Sequence, residues 1–172
     1  MLIDLSEILS TEGQVNTYDS ITSDLKEFSF HGNVYVIDGI RDFHLTIRNE
    51  GKQKASIKGG CVVTLKMLCD RCLDEVIQDF DVDIDEMIDM AIFETDKIDE
   101  INELDYLEAR VMNMDMLLEK ELMTLVPMQI LCKDDCKGLC KVCGANRNHE
   151  TCDCDDFVPN PRLSVFANIL KN

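Results

Sequence analysis

The sequence lacks both a long hydrophobic run and a basic, leader-like N-terminus. No apolar stretch among its 172 residues approaches the roughly 18 residues that cross a bilayer as a helix. The first nine residues carry two acids and no base, unlike a secretory leader. We therefore expect a cytoplasmic chain without a membrane-spanning helix. In that reducing compartment, metal binding explains the nine cysteines better than disulfides do.

The sequence also lacks the short motifs of common enzyme classes. It contains no glycine-rich phosphate loop, no Gly-x-Ser-x-Gly and no His-Glu-x-x-His. Its aspartates do not have the spacing of a calcium loop. We therefore expect a protein that is not an enzyme. A nuclease or a cysteine-based redox enzyme is the less favoured alternative. A nuclease needs clustered carboxylates beside a basic cleft, and here acids and bases occupy separate stretches.

Basic residues are scarce: 17 stand against 34 acids, and the formal net charge is −17. Residues 74–108 hold fifteen of the acids and one base, which accounts for −14 of that charge. Residues 41–72 are instead mildly basic, with seven bases and three acids. A negative field of this size favours basic partners and repels nucleic acid. A solvated face that only keeps the protein soluble is the simpler interpretation.

Hydrophobic periodicity predicts a sheet in the first half of the chain. Apolar and polar residues alternate in Ile40–Arg48, Cys61–Leu68 and Val76–Asp85, and Val34–Ile37 is a shorter run of the same kind. Such alternation is typical of half-buried antiparallel strands. We expect an antiparallel β-sheet or a partly closed barrel. Cys61 falls on the apolar face of its strand and is interpreted as a core residue.

The period changes after residue 105. Apolar residues then follow at intervals of three and four, as on one face of an amphipathic helix: Leu107, Val111, Met114, Leu118, Leu122 and Leu125. Asp105 is the predicted N-cap, and Pro127 ends the helix at Val126. The class is therefore α+β. We predict a core domain over residues 1–130 with an acidic connector at 94–103. Residues 131–172 form a cysteine-rich, metal-binding loop and a tail with a short C-terminal helix, packed on the core.

Eight of the nine cysteines fall into closely spaced groups that suit a metal. Cys140-x2-Cys143 is flanked by glycines that let the backbone fold around two sulfurs, and Cys152-x-Cys154 follows eight residues later. These four have the spacing of a tetrahedral zinc site. A second set then remains: Cys69, Cys72, Cys132 and Cys136. We predict one or two structural zinc ions. Reduced thiols without metal are the alternative, and His149 is a possible substitute ligand.

Four segments in this order resemble the YceD family, known for large ribosomal RNA subunit accumulation, and specifically its cysteine-rich branch. They are the strand entering Cys69-Asp-Arg-Cys72-Leu73, the segment from Leu104-Asp-Tyr-Leu107 to Leu125-Val-Pro127-Met, the run Cys132 to Asn146, and Asn160-Pro-Arg162-Leu163 followed by Leu170. The resemblance covers roughly residues 30–170 of the chain. It implies a cytoplasmic factor needed for 23S rRNA accumulation and large ribosomal subunit biogenesis.

Two modes of action are open at this point. In one mode, bases touch 23S rRNA or a precursor of the large subunit; the candidates are the 41–72 stretch and Arg71, Lys133, Lys137, Lys141, Arg147 and Arg162. In the other mode, the acidic stretch 74–108 holds a basic ribosomal protein, and the charge distribution favours this one. Arg71 and Arg162 lie in the family motifs, where a bracing role is equally plausible. A zinc-stapled interaction adaptor without a ribosomal role is the alternative function. Neither a membrane nor a small-molecule substrate is expected.

Overall fold

The structure is a computed structural model that describes residues 1–21, 23, 25–91, 105–108 and 110–154. Two compact units are present. Unit 1 comprises Met1–Met67 and Ile77–Met128, and unit 2 comprises Leu68–Val76 and Gln129–Asn172. Within the described ranges, no helix has the length and apolar character needed to cross a bilayer.

The described elements form an α+β arrangement with two antiparallel sheets. In chain order the elements are β1 Leu2–Asp4, α1 Ser6–Ser10, β2 Val15–Tyr18, β3 Glu27–Phe30, β4 Asn33–Gly51, β5 Lys54–Leu68, β6 Glu75–Asp89, β7 Leu107–Glu108, β8 Val111–Asn113 and α2 Met114–Leu125. The larger sheet has the order β2-β4-β5-β6, and β3 also pairs with β4. The smaller sheet has the order β1-β8-β7. The larger sheet is open. The structure therefore has the predicted antiparallel sheet and not the predicted alternative, a partly closed barrel.

The predicted strands are present and longer than predicted, because β4 runs for 19 residues and β5 and β6 for 15 each. Their alternation follows the predicted faces. Leu45 and Ile47 of β4 are buried, as are Val63 and Leu65 of β5. Cys61 is also buried, as expected of a core residue. The period-two pattern therefore identified the core face of the sheet correctly.

Two consecutive glycines allow the strands to approach closely in the middle of β5. A Cβ atom at Gly59 would collide with the backbone of His44 and Leu45, and one at Gly60 would collide with the carbonyl oxygen of Val82. The β4–β5 register shifts between Arg41 and His44, opposite these glycines. Glycine in a strand interior marks such bulges and close approaches.

The helix begins later than the sequence predicts. Leu107 and Val111, assigned to its apolar face, lie in the hairpin strands β7 and β8, and β8 pairs with β1 near the N-terminus. The N-cap is Asn113, whose side chain accepts a hydrogen bond from the Asp115 N–H at 3.0 Å, so the predicted cap at Asp105 was wrong. The periodicity predicted a helix here because β7 and β8 carry apolar residues at helical spacing. The pairing of β8 with β7 and with the distant β1 makes these residues strands instead.

The helix ends where Pro127 predicts. Val126 is the C-cap, and its N–H donates to the Leu122 carbonyl at 3.0 Å. Met114, Leu118 and Leu122 are buried as expected, whereas Leu125 is 40% exposed. The connector 94–103, the predicted C-terminal helix and Arg162 lie outside the described residues. The predicted packing of residues 131–172 on the core stays a prediction.

Bases and acids that are far apart in the sequence lie side by side on the larger sheet. The Arg41 guanidinium contacts the Asp79 carboxylate at 2.6 Å, and Lys58 contacts Asp85 at 3.0 Å. Lys54 similarly contacts Asp89 at 3.3 Å. The hydrogen bonds from Arg41 and Thr64 lower the pKa of Asp79 below its usual value. Bases of the 41–72 stretch and acids of the 74–108 stretch therefore form ion pairs between strands in the structure.

We predict that Gly60→Ala destabilises the protein, because the added methyl group meets the backbone oxygen of Val82. Overpacking of this kind costs about 1–3 kcal/mol. Gly39→Ala is the matched control, since nothing lies within 4 Å of a Cβ atom at this other strand glycine. Urea unfolding of both variants measures the difference. Equal stabilities for the two variants would contradict the close approach.

Candidate metal centre

The first cysteine pair occupies the tight turn between β5 and β6. We call residues 69–74 the first knuckle. The Leu73 N–H donates to the Cys69 carbonyl, and the Cys69 N–H donates to the Asp74 carbonyl, both at 2.9 Å. These bonds close the turn and place the sulfurs of Cys69 and Cys72 on the same side. Leu73 has a φ of 62°, a left-handed conformation that glycine adopts far more readily.

The second pair repeats this turn with the same hydrogen bonds. In the second knuckle, residues 140–145, the Gly144 N–H donates to the Cys140 carbonyl at 2.9 Å. The Cys140 N–H donates to the Ala145 carbonyl at 2.8 Å. Gly144 occupies the position equivalent to Leu73, with a φ of 76°. The two C-x2-C segments thus build equivalent turns, and the glycine noted in the sequence satisfies a left-handed position.

The structure brings the eight predicted ligands together as two quartets. Quartet I consists of Cys69, Cys72, Cys132 and Cys136, and quartet II consists of Cys140, Cys143, Cys152 and Cys154. In each quartet the four sulfurs lie within 4.8 Å of one another. All nine cysteines of the chain are free thiols. Both quartets fall within unit 2.

The sulfur spacing of quartet I fits a tetrahedral metal ion. The Sγ atoms of Cys69 and Cys136 are 3.7 Å apart, and those of Cys72 and Cys132 are 3.5 Å apart. Four sulfurs at ~2.3 Å from a central zinc ion stand roughly 3.8 Å from each other. A disulfide would instead need a separation of about 2.05 Å. Three of the four cysteines are also buried, which keeps water from a bound ion.

Quartet II is more exposed than quartet I, and its sulfurs affect one another's pKa values. The Cys143 and Val142 N–H groups point at Cys140 and lower the pKa of this thiol to about 6. Its neighbour Cys143 raises the pKa of Cys154 to about 12, because adjacent sulfurs resist ionising together. Cys140 is buried, whereas Cys143 is exposed. A bound dication would let all four sulfurs ionise, as metal ligands must.

Three residues between the halves of quartet II support quartet I. The Asn148 side-chain amide donates to the Cys136 Sγ at 3.4 Å, and its oxygen accepts from the Lys137 N–H at 3.0 Å. Asn146 donates to the Asp74 carboxylate at 2.9 Å. His149 Nε2 also contacts that carboxylate, at 3.0 Å. Hydrogen bonds of this kind orient metal ligands. Nothing in the sequence spacing marked Asn146 or Asn148.

His149 is not placed as a substitute ligand, because its Nε2 faces Asp74 and each quartet already has four sulfurs. Asp74 also accepts a hydrogen bond from the Cys72 thiol at 3.2 Å. That bond, with those from Asn146 and His149, lowers the pKa of the Asp74 carboxyl. Cys61, the ninth cysteine, stands apart from both quartets, and burial raises its pKa to about 11.

The predicted contact bases surround these quartets. The Arg71 guanidinium donates to the Cys136 carbonyl at 3.2 Å, and the Arg71 carbonyl accepts from the Leu139 N–H at 3.0 Å. Lys133 lies 4.0 Å from Asp135. Lys137 and Lys141 are exposed, and Arg147 is partly buried. The five predicted bases that the structure describes all belong to unit 2.

We predict that Leu73→Gly stabilises the protein by about 1 kcal/mol, because glycine relieves the left-handed strain at this position. Leu73 is 59% exposed, so its removal costs little burial. Leu73→Ala is the control, since alanine loses the same side chain but keeps the Cβ atom. Thermal and urea unfolding measure both variants. An equal effect of glycine and alanine would show that the side chain, and not the backbone strain, sets the stability.

Comparisons with known proteins place the chain in one family. A family model described as "Large ribosomal RNA subunit accumulation protein YceD" matches residues 57–170. Neither a search of curated proteins nor a search of solved structures found a match. The matched range contains both quartets, β6 and α2, and it covers more than half of the 172 residues. The chain therefore belongs to the YceD family.

Proposed function

We propose that this protein is a non-enzymatic, cytoplasmic factor needed for 23S rRNA accumulation and so for large ribosomal subunit biogenesis. The observation that carries the proposal is the family match over residues 57–170. The family motif Cys69-Asp-Arg-Cys72-Leu73 supports it, because these residues build the first knuckle in the structure. The adaptor without a ribosomal role is the competing function.

We assign a structural zinc ion to each quartet. Four thiolates in a closed tetrahedral set are the usual ligands of structural zinc, whereas catalytic zinc keeps an open position. When bound, zinc would cross-link the four cysteines of each quartet and neutralise part of their thiolate charge. The loops that carry them have few apolar residues to bury. The chain's own part is to hold Cys69 and Cys140 by knuckle hydrogen bonds and Cys136 by Asn148.

The exposed face of β6, which carries Asp79, Asp81, Asp83 and Asp85, supports a binding role rather than nuclease chemistry. Acids and bases that are segregated along the sequence meet in the structure, since Arg41 and Lys58 contact Asp79 and Asp85. These ion pairs occupy carboxylates that a magnesium ion would need. Among the described residues, only the two cysteine quartets gather three or more metal-ligating side chains. These ion pairs and the two cysteine quartets support a non-enzymatic protein in this proposal.

Of the two modes of action, the charges favour binding of a basic ribosomal protein. Three of the seven 41–72 bases offer less net charge to rRNA phosphates, because Arg41, Lys54 and Lys58 already pair with aspartates of β6. Direct contact with rRNA would fall to the unit 2 bases around the quartets, and this is the second candidate. Binding to several phosphates weakens steeply as salt rises, so the salt dependence of RNA binding distinguishes the two modes.

We predict that the purified protein contains two equivalents of zinc, one for each quartet. Cys140→Ser should lose one equivalent and loosen the second knuckle, and Cys72→Ser should lose the other. Cys61→Ala is the matched control, which should keep both ions because this buried cysteine belongs to neither quartet. Elemental analysis of protein purified without chelators measures the content. A content below about 0.3 equivalent, with all nine thiols reactive, would rule out the zinc assignment.

We predict that depletion of the protein lowers the ratio of 23S to 16S rRNA, because the large-subunit rRNA is less stable when its particle fails to assemble. Quantification of total rRNA during depletion measures the ratio. Re-expression of the wild-type chain should restore it. An unchanged ratio would contradict the ribosomal role and favour the adaptor.

A further inference from the structure

Strand β6 ends the larger sheet, and among the described residues no strand pairs with its outer edge, which we call the free edge. β5 is its neighbour on one side. In the described part of the chain, no loop or helix forms a backbone hydrogen bond to residues 75–89. At 15 residues, the strand is much longer than the typical 5–6. An edge of this length offers a row of unpaired N–H and C=O groups, which is a template for another strand.

This edge lacks two common features that prevent strand addition. Proteins commonly blunt an exposed edge with proline or lysine, or keep it short. The sequence of β6 contains neither proline nor lysine. Its aspartates at positions 79, 81, 83 and 85 are exposed on the solvent face. Glu86 lies on the opposite face, where it pairs with Lys120 of α2 at 2.5 Å. A partner that carries the opposite charge can therefore approach it.

Between residues 79 and 85 the side chains of β6 alternate strictly, and this alternation determines which strand can pair with the edge. Asp79, Asp81, Asp83 and Asp85 are exposed on one face, whereas Phe80, Val82 and Ile84 are buried on the other. Arg41 and Lys58 already pair with the first and last of the aspartates. Asp81 and Asp83 form no ion pair with any described residue, so two adjacent carboxylates of the solvent face are available.

A strand added to β6 would place its own side chains directly beside these. Residues opposite each other in an antiparallel pair have Cβ atoms ~4.5–5.5 Å apart, and opposite charges at that distance attract. Lysines or arginines at every second position would face Asp81 and Asp83. Apolar or small residues between them would extend the buried face of Val82 and Ile84. Nucleic acid does not fit this edge, because the aspartates repel phosphates.

We infer that the free edge of β6 accepts an extended segment of a protein partner, with basic residues alternating with apolar ones, as an additional strand. The partner is then held by backbone hydrogen bonds, and the aspartates select its charge. This is strand addition to a sheet edge, in which main-chain bonds give affinity and alternate side chains give specificity. The inference rests on the protein-binding mode of the proposed function and names its surface.

The test uses the full chain and a labelled nine-residue peptide in which lysines alternate with threonine or valine. A peptide of the same composition with its lysines contiguous is the ligand control. Fluorescence anisotropy at low and physiological salt measures affinity. We expect the alternating peptide to bind more tightly, since only it places lysines on one face of a strand. Equal affinity of the two peptides would mean charge attraction alone and would overturn the inference.

Two variants with the same change in charge locate the binding surface. Asp81→Asn/Asp83→Asn should weaken binding of the alternating peptide roughly tenfold, because two cross-strand charge pairs are lost. Glu7→Gln/Asp19→Asn is the matched control on exposed acids elsewhere in unit 1, and it should bind like the wild type. Equal losses in both variants would show that only net charge matters, and no loss in either would exclude β6.

Amide hydrogen exchange tests the backbone part of the inference. In the presence of the alternating peptide, exchange should slow at every second residue between Ile77 and Met87, because only alternate N–H groups face the free edge. Uniform protection, or none, would overturn strand addition. This result is independent of the depletion experiment. A failed peptide test with a lowered 23S to 16S ratio rejects the edge and leaves the ribosomal role, whereas an unchanged ratio rejects that role directly.

Discussion

The long antiparallel ladder between β4 and β5 is the interaction on which the rest of the larger sheet depends. It joins strands of 19 and 15 residues, and β2, β3 and β6 all attach to one of these two. Each half of β4 pairs on its other side with a short strand, β3 at the start and β2 near the end. The glycine pair at 59–60 lets this ladder bend where β4 bulges. The free edge of β6 is a direct consequence, because the order of the sheet ends there.

Cross-strand neutralisation is the second organising feature, and it changes how the charge of this protein must be interpreted. A net charge of −17 would destabilise a sheet if its acids faced each other. Strand β5 lies beside the acidic β6 instead, so Lys58 pairs with Asp85. Arg41 of β4 reaches Asp79 past Thr64 of β5. The ion pairs are exposed and each contributes little to stability. Their importance is for binding, because they neutralise exposed bases of the sheet and leave Asp81 and Asp83 without an ion pair to a described residue.

Unit 2 is stabilised in a different way from unit 1, because its described loops have few apolar residues to bury. Its structure comes from two equivalent knuckles and from hydrogen bonds aimed at sulfur or at the residues beside it. Asn146, Asn148 and His149 lie between the halves of quartet II yet contact residues of quartet I and its first knuckle. The two quartets therefore share one supporting segment. Loss of an ion from one quartet is expected to disturb the other, because the same backbone positions both.

The sequence by itself determined the α+β class, the core face of the strands, the end of α2 and the division of eight cysteines into two sets. These follow from local rules, namely period-two burial, the effect of Pro127 and the short reach of a C-x2-C turn. Only the tertiary structure decided that Leu107 and Val111 belong to strands, that Arg41 meets Asp79, and that Asn148 supports Cys136. Val111, Arg41 and Asn148 each depend on a partner 12 to more than 100 residues away, and hydrophobic periodicity carries no information about such distant contacts.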